Sequence, residues 1–346
     1  MAANANLHKA KNAKNDEFYT QLTDVSKELM HYKQHFKDKI VLCNCDDPTW
    51  SAFWKYFHLN FSALGLKKLI STHYDKTEPT YKMIYEGGDD NNIEAGVKTP
   101  LEGNGDFRNQ ECLDLLDEAD IVVTNPPFSL FREFLHLLVE HNCDYIIIGN
   151  TNALVYSEVF ELLQNDSIRT GYTNFNVGMY FRVPDYYKYS KIIDGEHYAR
   201  VSTSCWYTSL PVKKHQENLI LWKQYTPTEY PKYDNYDAIN VNNFNDIPCD
   251  YDGLMGVPVT FLDKFNPEQF ELIGLSSKNH SEKIPRFHDN NYYNGYTRGK
   301  VVTRVESNMP LLAIPDFGGT KCVKDGCPDL YQIYWRIFIR KKKGGN

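Results

Sequence analysis

The chain of 346 residues has no apolar run close to the ~20 residues that a membrane-spanning helix needs. Its N-terminal residues are polar and basic, unlike the apolar core of a signal peptide. No membrane partner is therefore predicted, and we expect a cytoplasmic protein.

Zinc-site spacing is also missing. The eight cysteines include two close pairs, Cys43 with Cys45 and Cys322 with Cys327. Neither has a matching second pair or a histidine cluster at zinc spacing. We therefore predict reduced, buried thiols and no metal site.

Positive charge is not in excess. The formal net charge is −7, which argues against positive potential over the whole surface. A local nucleic-acid footprint stays open, because it depends on where the lysines and arginines lie. Aromatic residues are abundant, with 25 Tyr and 19 Phe. Most are expected to pack structurally, and some are available to stack on bases.

Residues 120–128, DIVVTNPPF, are the most informative stretch of the chain. The apolar run 121–124 predicts a buried strand of a parallel sheet. Pro126 and Pro127 end that strand because neither has an N–H for the ladder, and a proline also holds the preceding residue extended. The pattern predicts a stiff loop at the carboxyl end of a strand, where open α/β sheets bind ligands.

Asn125 and Phe128 supply the groups with which this loop could bind a ligand. The Asn125 carboxamide oxygen and the neighbouring main-chain carbonyl are two fixed acceptors, and Phe128 adds a flat apolar face. This combination suits the exocyclic amino group of a planar base. The alternative is that Asn-Pro-Pro only marks the start of a loop and has no role in binding. The aliphatic residues before it and the aromatic residue after it make the pattern more specific.

The loop matches the signature of N6-adenine methyltransferases: an aliphatic pair, any residue, Asn or Asp, two prolines and an aromatic residue. Most of the chain resembles the EcoRI-type adenine-specific DNA methyltransferases. The stretches that carry the resemblance are 16–20 (DEFYT), 43–48 (CNCDDP), 105–108 (GDFR), 231–240 (PKYDNYDAIN) and 256–270 (GVPVTFLDKFNPEQF).

The resemblance implies an α/β fold. We expect a Rossmann-like S-adenosylmethionine-dependent methyltransferase domain, with a mixed, mostly parallel sheet and helices on both faces, and a smaller C-terminal target-recognition region. The expected domains are a basic N-terminal arm over 1–15, a catalytic domain over 16–225 and a C-terminal region over 226–346.

Local patterns predict several elements of the catalytic domain. A helix is predicted from about residue 24 to residue 36, and another over 49–64, closed by Gly65. Pro48 suits the first position of the second helix and Asp47 its cap. Residues 76–104 are polar and glycine-containing, and we interpret them as a variable excursion.

The resemblance implies that S-adenosylmethionine is the cofactor and that Phe18, Tyr19 and Thr20 help hold its methionine end. A helix-entry segment with a packed aromatic residue is the alternative interpretation of these positions.

Asn44, Asp46 and Asp47 follow the first predicted strand, where most S-adenosylmethionine enzymes have a glycine-rich turn. The carboxylates of Asp46 and Asp47 can instead meet the cationic α-amino group of the cofactor. Because that cofactor lacks the phosphates that such turns bind, the missing glycines are tolerable. Asp47 could also serve only as a helix cap.

Three further positions complete the expected cofactor site. Residues 67–75 predict the second strand, and Asp75 is the nearest acid at its end and the candidate for the ribose hydroxyls. In the family, the aspartate that corresponds to Asp106 faces the cofactor's adenine amino group, beside Phe107. A carboxylate accepting from an amino group is chemically sound. The alternative for Asp106 is to cap the following helix.

DNA contacts are predicted in the N-terminal arm and in the catalytic domain. Lys9, Lys11 and Lys14 form a basic run that could contact phosphates or be a solvated tail, with equal weight. Trp206 lies where related enzymes place an aromatic residue beside the target base, and core packing is its alternative.

Tyr293, Arg298 and Lys300 lie in a C-terminal stretch that mixes aromatic, amide and cationic side chains. That mixture is used to contact base edges and phosphates. Polar loops are common, so target recognition here and an ordinary surface loop carry equal weight.

The resemblance implies a site-specific enzyme that methylates N6 of a flipped-out adenine in double-stranded DNA without a metal, in a restriction–modification or phage/host DNA-protection role. We expect a monomer, and a cognate restriction endonuclease would share its site without a stable complex. GAATTC is a candidate site. The loop alone also fits methylation of guanine N2 in ribosomal RNA, cytosine N4 in DNA or protein glutamine. A DNA-binding specificity protein without catalysis is the alternative of another class.

Overall fold

The structure is a computed structural model in which two compact units are distinguished. Unit 1 comprises residues 1–153 and 168–212, and unit 2 comprises residues 154–167 and 213–346. The residues that the structure describes are 18–45, 47–75, 78–276, 294–297, 300–302, 310–312, 320–323 and 330–342. The contacts therefore divide the chain after residue 212, whereas the sequence favoured a division after residue 225.

Unit 1 contains two sheets. Its strands are β1 (Tyr19–Thr20), β2 (Ile40–Cys43), β3 (Lys68–Thr72), β4 (Tyr81–Tyr85), β5 (Val97–Pro100), β6 (Ile121–Thr124), β7 (Asp144–Asn150), β8 (Arg169–Thr170), β9 (Met179–Arg182), β10 (Lys191–Ile193), β11 (Glu196–Val201) and β12 (Ser204–Thr208). Its helices are α1 (Leu22–Leu29), α2 (Ala52–Leu59), α3 (Phe61–Leu64), α4 (Gln110–Glu118) and α5 (Phe131–Glu140).

The main sheet has eight strands in the order β5-β4-β3-β2-β6-β7-β12-β8. Its centre, β3-β2-β6-β7, is parallel, and the strands on either side run antiparallel. Every residue of β2 and β6 is buried, as expected for strands covered on both faces. This mixed, mostly parallel sheet confirms the predicted fold class.

The spacing of apolar residues in helix α5 determines which side of the helix packs on the main sheet. Phe131, Phe134, Leu135 and Leu138 recur at helical spacing and are buried. A Cβ on Gly149 of β7 would lie 2.3 Å from the Phe131 ring, so the missing side chain permits this close approach.

The second sheet of unit 1 has four antiparallel strands in the order β1-β9-β11-β10. One of its faces packs into the large hydrophobic core of the unit through Phe18, Met179, Phe181, Ala199 and Val201. The short strand β1 is thereby fixed directly beside the core.

Unit 2 contains one α-helix, α6 (Ser157–Gln164), among the residues that the structure describes. Its strands are β13 (Ile239–Asn240), β14 (Met255–Pro258), β15 (Phe270–Leu275), β16 (Asn294–Thr297), β17 (Lys300–Val302), β18 (Leu311–Leu312), β19 (Thr320–Val323), β20 (Leu330–Gln332) and β21 (Arg336–Lys341). They form sheets in the orders β13-β14-β21-β15 and β17-β16-β19-β20-β18. The Gln164 side chain donates to the Leu272 carbonyl at 2.8 Å, which ties α6 to β15.

Several predicted elements have different bounds. The helix expected over 24–36 ends at Leu29 and is followed by a short 3₁₀ helix, Lys33–His35. The helix expected over 49–64 is two helices, α2 and α3, and Gly65 ends the second in the left-handed conformation with φ 66°. The excursion over 76–104 contains β4 and β5, which extend the main sheet.

None of the described helices is both long enough and apolar enough to span a membrane.

Candidate active site

Buried polar atoms without partners collect at one edge of the main sheet. Asn44 follows β2, Thr72 ends β3 and Asn125 follows β6, and these three strands are neighbours. Asn44 Oδ1, Thr72 Oγ1 and Asn125 Oδ1 are buried and have no hydrogen-bond partner among the described residues. Buried polar groups are nearly always paired. A cluster of unpaired groups at the carboxyl ends of parallel strands therefore marks a ligand site.

The orientation of Asn125 is fixed by a long-range contact. Its Nδ2 donates to the Phe18 carbonyl at 2.6 Å, which leaves Oδ1 as the available acceptor. After the buried Pro126, the Pro127 carbonyl accepts from the Leu130 amide at 2.9 Å and closes the loop into a 3₁₀ turn. The stiff loop predicted from the two prolines is thus joined to β1, and we call residues 125–128 the Asn-Pro-Pro-Phe loop.

Phe128 is half-buried beside this acceptor. Its ring centroid lies 5.7 Å from that of Phe18 and 6.0 Å from that of Phe181. One side of the ring therefore packs against the core, and part of it stays exposed. The arrangement gives a flat apolar surface held by other rings, next to Asn125.

Tyr19 and Thr20 follow Phe18 in β1. The Thr20 hydroxyl oxygen is buried and has no hydrogen-bond partner among the described residues. The Tyr19 ring meets Trp50 edge-on, with centroids 4.1 Å apart. The structure therefore places the segment predicted for the methionine end of the cofactor directly beside the Asn-Pro-Pro-Phe loop.

Asp47 is held by its neighbours in the turn after β2. Its Oδ1 accepts from Tyr81 Oη at 2.8 Å and from the Thr49 amide and hydroxyl at 2.8 and 2.7 Å. Its Oδ2 lies 3.5 Å from His73 Nε2. The helix cap comes instead from Ser51, whose hydroxyl accepts from the amides of residues 53 and 54 at 3.1 and 3.2 Å. Asp47 therefore does not cap α2, and it instead closes the turn before that helix, where its carbonyl accepts from the Ser51 amide at 2.8 Å.

Gly105 brings the second acidic motif to the same edge. With φ 73°, it adopts a conformation that favours glycine, and an added Cβ would lie 2.1 Å from the His73 carbonyl oxygen. Asp106 follows at once and is paired with Arg108, Nε to Oδ1 at 2.8 Å and Nη2 to Oδ2 at 2.6 Å. Arg108 lowers the pKa of Asp106, so this carboxyl is an ionised acceptor at neutral pH.

The cap position of the next helix belongs to Asn109, so the alternative of Asp106 as its cap is wrong. Phe107 is buried and meets Phe134 edge-on at 5.1 Å. The ring anchors the motif, and its neighbour Asp106 keeps one acceptor position beyond those used by Arg108.

Asp75 lies three residues beyond the end of β3. Its amide donates to the Asn104 carbonyl at 3.1 Å, and its carboxylate accepts from the Glu78 amide at 3.0 Å. The main-chain carbonyl of Asn44 accepts from the Thr124 hydroxyl. Both predicted cofactor residues therefore lie at the carboxyl edge of the main sheet.

Trp206 does not fit the expected base contact. Its side chain is fully buried, packs edge-on against Phe53 at 6.1 Å, and donates from Nε1 to Asn174 Oδ1 at 3.2 Å. The core-packing alternative describes this ring, because a base could reach it only if it left the core.

The remaining predicted residues do not lie in the described part of unit 1. Lys300 lies in β17 of unit 2. Outside the described residues lie Lys9, Lys11, Lys14, Asp46, Tyr293 and Arg298.

His73 and Tyr81 were missed by the sequence reasoning. Both contact the Asp47 carboxylate, and the His73 Nδ1 is buried without a hydrogen-bond partner among the described residues. His73 follows β3 directly, so its position at the carboxyl end of a strand could have indicated a site residue. Tyr81 lies in the stretch 76–104, which we interpreted as a variable excursion, and no local pattern indicated its role.

Within the described part of the chain, no group of His, Cys, Asp and Glu is arranged to hold a metal ion.

Comparisons with known proteins identify the family of this chain. Residues 6–342 match the sequence model of the family described as adenine-specific methyltransferase EcoRI. The type II methyltransferase M.EcoRI of Escherichia coli is 46% identical over 295 residues, which cover 79% of this chain and 89% of that protein. The type II methyltransferase M.MpnI of Mycoplasma pneumoniae is 40% identical over 276 residues, which cover 77% and 84%. No solved structure is significantly similar.

The family match spans nearly the whole chain and includes the Asn-Pro-Pro-Phe loop, β1 and both acidic motifs. Membership of a methyltransferase family implies S-adenosylmethionine as the methyl donor. The chain belongs to the adenine-specific methyltransferase EcoRI family.

Proposed function

We propose that this protein methylates N6 of an adenine flipped out of duplex DNA and that Asn125 and Pro126 bind the amino group. The observation that carries the proposal is the buried Asn125 Oδ1, which has no partner among the described residues. The contact of Nδ2 with the Phe18 carbonyl fixes the direction of that oxygen. A preoriented acceptor of this kind suits an N–H donor of the substrate.

The acceptors change the reactivity of the adenine nitrogen. Its lone pair is delocalised into the ring and is a poor nucleophile. Accepting one N6 hydrogen at Asn125 Oδ1 and the other at the Pro126 carbonyl favours a pyramidal nitrogen with a more available lone pair. The methyl donor supplies an already activated sulfonium carbon, so the main tasks of the protein are alignment and electrostatic fit. The proton leaves late, to solvent through the Asn125 site.

The residues present fit S-adenosylmethionine. Phe18, Tyr19 and Thr20 lie beside the loop, and the unpaired Thr20 oxygen suits the amino-acid end of the donor. Asn44 offers a second unpaired acceptor at the end of β2. We assign these positions to the methionine part of the cofactor.

Acidic residues at the same edge suit the other polar groups of the cofactor. Asp47, with Asp46 before it, would meet the α-amino group, and Asp75 the ribose hydroxyls. The ionised Asp106 would accept from the adenine amino group beside the buried Phe107. The role of Asp46 rests on the sequence alone, and the other roles rest on residue chemistry and on position at the sheet edge.

Phe128 would stack on the extruded adenine. A base inside a duplex does not expose its amino group to an enzyme, so it must leave the helix. The half-buried ring, supported by Phe18 and Phe181, offers a rigid face at the required place. Stacking of this kind contributes about 1–3 kcal/mol per base.

The biological setting follows from the same assignment. The family is adenine-specific, which favours adenine over guanine N2, cytosine N4 or glutamine as the acceptor. Its relatives are named type II methyltransferases, so a restriction–modification or DNA-protection role is proposed. We further propose a cytoplasmic monomer that shares its site with any cognate nuclease without forming a stable complex.

The test is transfer of a tritiated methyl group to duplex DNA by wild type and by Asn125→Ala. We expect Asn125→Ala to lose transfer while cofactor binding, measured by calorimetry, is largely retained. Asn125→Asp keeps an acceptor oxygen but loses the donor to the Phe18 carbonyl, so it should be intermediate. Asn165→Ala, at the end of α6, is the matched control and should retain activity.

Two outcomes would count against the proposal. Loss of cofactor binding together with transfer in a folded Asn125→Ala protein would remove this residue from the chemistry. Sequencing the methylated DNA with modified-base detection should find N6-methyladenine at one recurring site, with GAATTC as the first candidate. Another modified base would overturn the assigned substrate.

A further inference from the structure

The outward face of the four-stranded sheet in unit 1 has a row of alternating aromatic and cationic residues. Tyr19 of β1 is opposite Arg182 of β9, Arg182 is opposite Tyr198 of β11, and Tyr198 is opposite Lys191 of β10. Directly opposed residues in antiparallel strands share a face. The four side chains therefore cross all four strands on one side.

A second row lies two positions further along the same strands. Tyr180 of β9 is opposite Arg200 of β11. The rows are in contact, because Lys191 Nζ lies 3.7 Å from the Tyr180 ring centroid and 5.8 Å from that of Tyr198. Together they define the tyrosine–cation face: Tyr19, Tyr180, Arg182, Lys191, Tyr198 and Arg200.

This face points away from the core. The residues between its members along β9 and β11, Phe181 and Ala199 among them, belong to the buried core cluster. Every member of the face is half-buried or exposed. Strand alternation therefore gives the sheet one apolar side and one side with three tyrosines and three cations.

A cavity of about 350 Å³ adjoins the face. It is lined by Tyr19, Arg182 and Tyr198 from the face and by Trp50 and Lys55 from the segment before and within α2. The cavity thus adds a further ring and a further cation to the same surface.

The charge of this surface is opposite to that of the whole chain. The net charge of the protein is −7, yet the face carries Arg182, Lys191 and Arg200, with Lys55 beside it. Glu196 shares the face and lies 3.3 Å from Arg182. A local excess of cations among aromatic rings is complementary to a polyanion with stacking bases.

The face begins at Tyr19, one residue after Phe18, which contacts the Asn-Pro-Pro-Phe loop. Phe18, whose carbonyl holds the Asn125 amide, points into the core, and Tyr19 points outward. We propose that the tyrosine–cation face binds the sugar–phosphate backbone of the DNA beside the flipped adenine. Its cations would meet phosphates, and its tyrosines would pack against sugars or unstacked bases. The inference rests on the proposed function and identifies the DNA surface.

The double variant Lys191→Gln/Arg200→Gln tests the face. Affinity for a duplex containing the target site is measured by fluorescence anisotropy between 50 and 200 mM salt, about a fourfold range. Removing two phosphate contacts should weaken binding and lower the salt slope by about two units. The affinity lost across this range should then be about tenfold smaller than for wild type. The single variant Lys191→Gln should lower the slope by about one unit.

The matched control is Lys33→Gln/Lys37→Gln, which removes two exposed cations of unit 1 outside the face. Its salt slope should equal that of wild type. Circular dichroism checks folding of each protein, and Lys191→Gln alone decides the question if the double variant does not fold.

The possible failures are distinguishable. An unchanged slope in folded Lys191→Gln, with wild type methylating DNA, would overturn the face and leave the proposed function standing. A wild-type protein that neither binds nor methylates duplex DNA would overturn the proposed function itself. Equal slope changes in the control would show a general charge effect and contradict the assignment.

Discussion

Two groups of buried polar atoms in unit 1 differ in how fully they are hydrogen-bonded. The first surrounds Glu28 of α1, which has no exposed surface. Its carboxylate accepts from Tyr32 Oη at 2.9 Å, from the Tyr172 amide at 2.7 Å, and from the Thr173 amide and hydroxyl at 2.7 and 2.6 Å. We call these residues the Glu28 anchor.

The second group lies at the carboxyl edge of the main sheet. Asn44, Thr72 and Asn125 each keep a buried atom without a partner among the described residues. A satisfied polar cluster stabilises one conformation of the chain, whereas an unsatisfied one costs stability. The comparison indicates that the Glu28 anchor stabilises the fold and that the sheet edge is suited to bind a ligand.

The largest expected effect on stability is at the anchor. Glu28→Ala should lower the free energy of unfolding by about 3–5 kcal/mol, because several buried donors lose their acceptor together. Asn125→Ala should lower it by about 1 kcal/mol, since it loses only the bond to the Phe18 carbonyl. Urea unfolding followed by circular dichroism measures both.

Glu140→Ala is the control for the anchor, because Glu140 is an exposed helical glutamate of the same unit. It should change the free energy of unfolding by less than about 0.5 kcal/mol. If Asn125→Ala destabilised the protein as much as Glu28→Ala, the distinction between anchor and site would be lost.

Phe128 tests the boundary between scaffold and site, because one side of its ring packs on Phe18 and the rest is exposed. Phe128→Ala should weaken binding of the flipped adenine by about 1–3 kcal/mol. A fluorescent adenine analogue at the target position reports the base leaving the stack, and its emission should fall. Phe128→Tyr keeps the ring and should behave like wild type. Unchanged emission in Phe128→Ala would contradict the stacking role.

The Asn-Pro-Pro-Phe loop was predictable because its determinants are local. An apolar run, two prolines and an aromatic residue fix a strand, its end and the loop within nine positions. The Glu28 anchor was not predictable, since Tyr172 and Thr173, which supply three of its four hydrogen bonds, lie 144 and 145 residues away in sequence. No local pattern distinguishes that glutamate from a solvated one on the same helix.

The contacts of Asp47 show a second limit. Asp47 and Ser51 are both good N-cap residues, and only the structure shows that Ser51 caps α2. The Tyr81 hydroxyl reaches Asp47 because β4 pairs with β3, and this contact joins residues 34 positions apart in sequence, which no local pattern predicts. Position at a strand end was therefore predictable, whereas side-chain partners were not.

The smallest expected effect is the pH dependence of the two regions, which should have opposite signs. Burial raises the pKa of Glu28 above its ordinary value of 4.5, despite its hydrogen bonds. The folded protein therefore holds a proton that the unfolded chain has already lost, and stability falls as pH rises from 4.5 through the raised pKa. Arg108 lowers the pKa of Asp106, whose stabilising contribution is present above its ordinary value of 3.8 and is lost as pH falls through the lowered pKa.

Urea unfolding at several pH values separates these contributions. Glu28→Gln cannot titrate at this position, so the free energy of unfolding of wild type should fall relative to that of Glu28→Gln as pH rises above 4.5. Asp106→Asn should instead reduce the loss of stability on acidification below 3.8. If wild type gained stability relative to Glu28→Gln over the upper range, the Glu28 carboxylate would be better stabilised in the fold than in water. The hydrogen bonds, which lower the pKa of Glu28, would then have a larger effect than burial, which raises it. The charged form of Glu28 would in that case stabilise the folded protein.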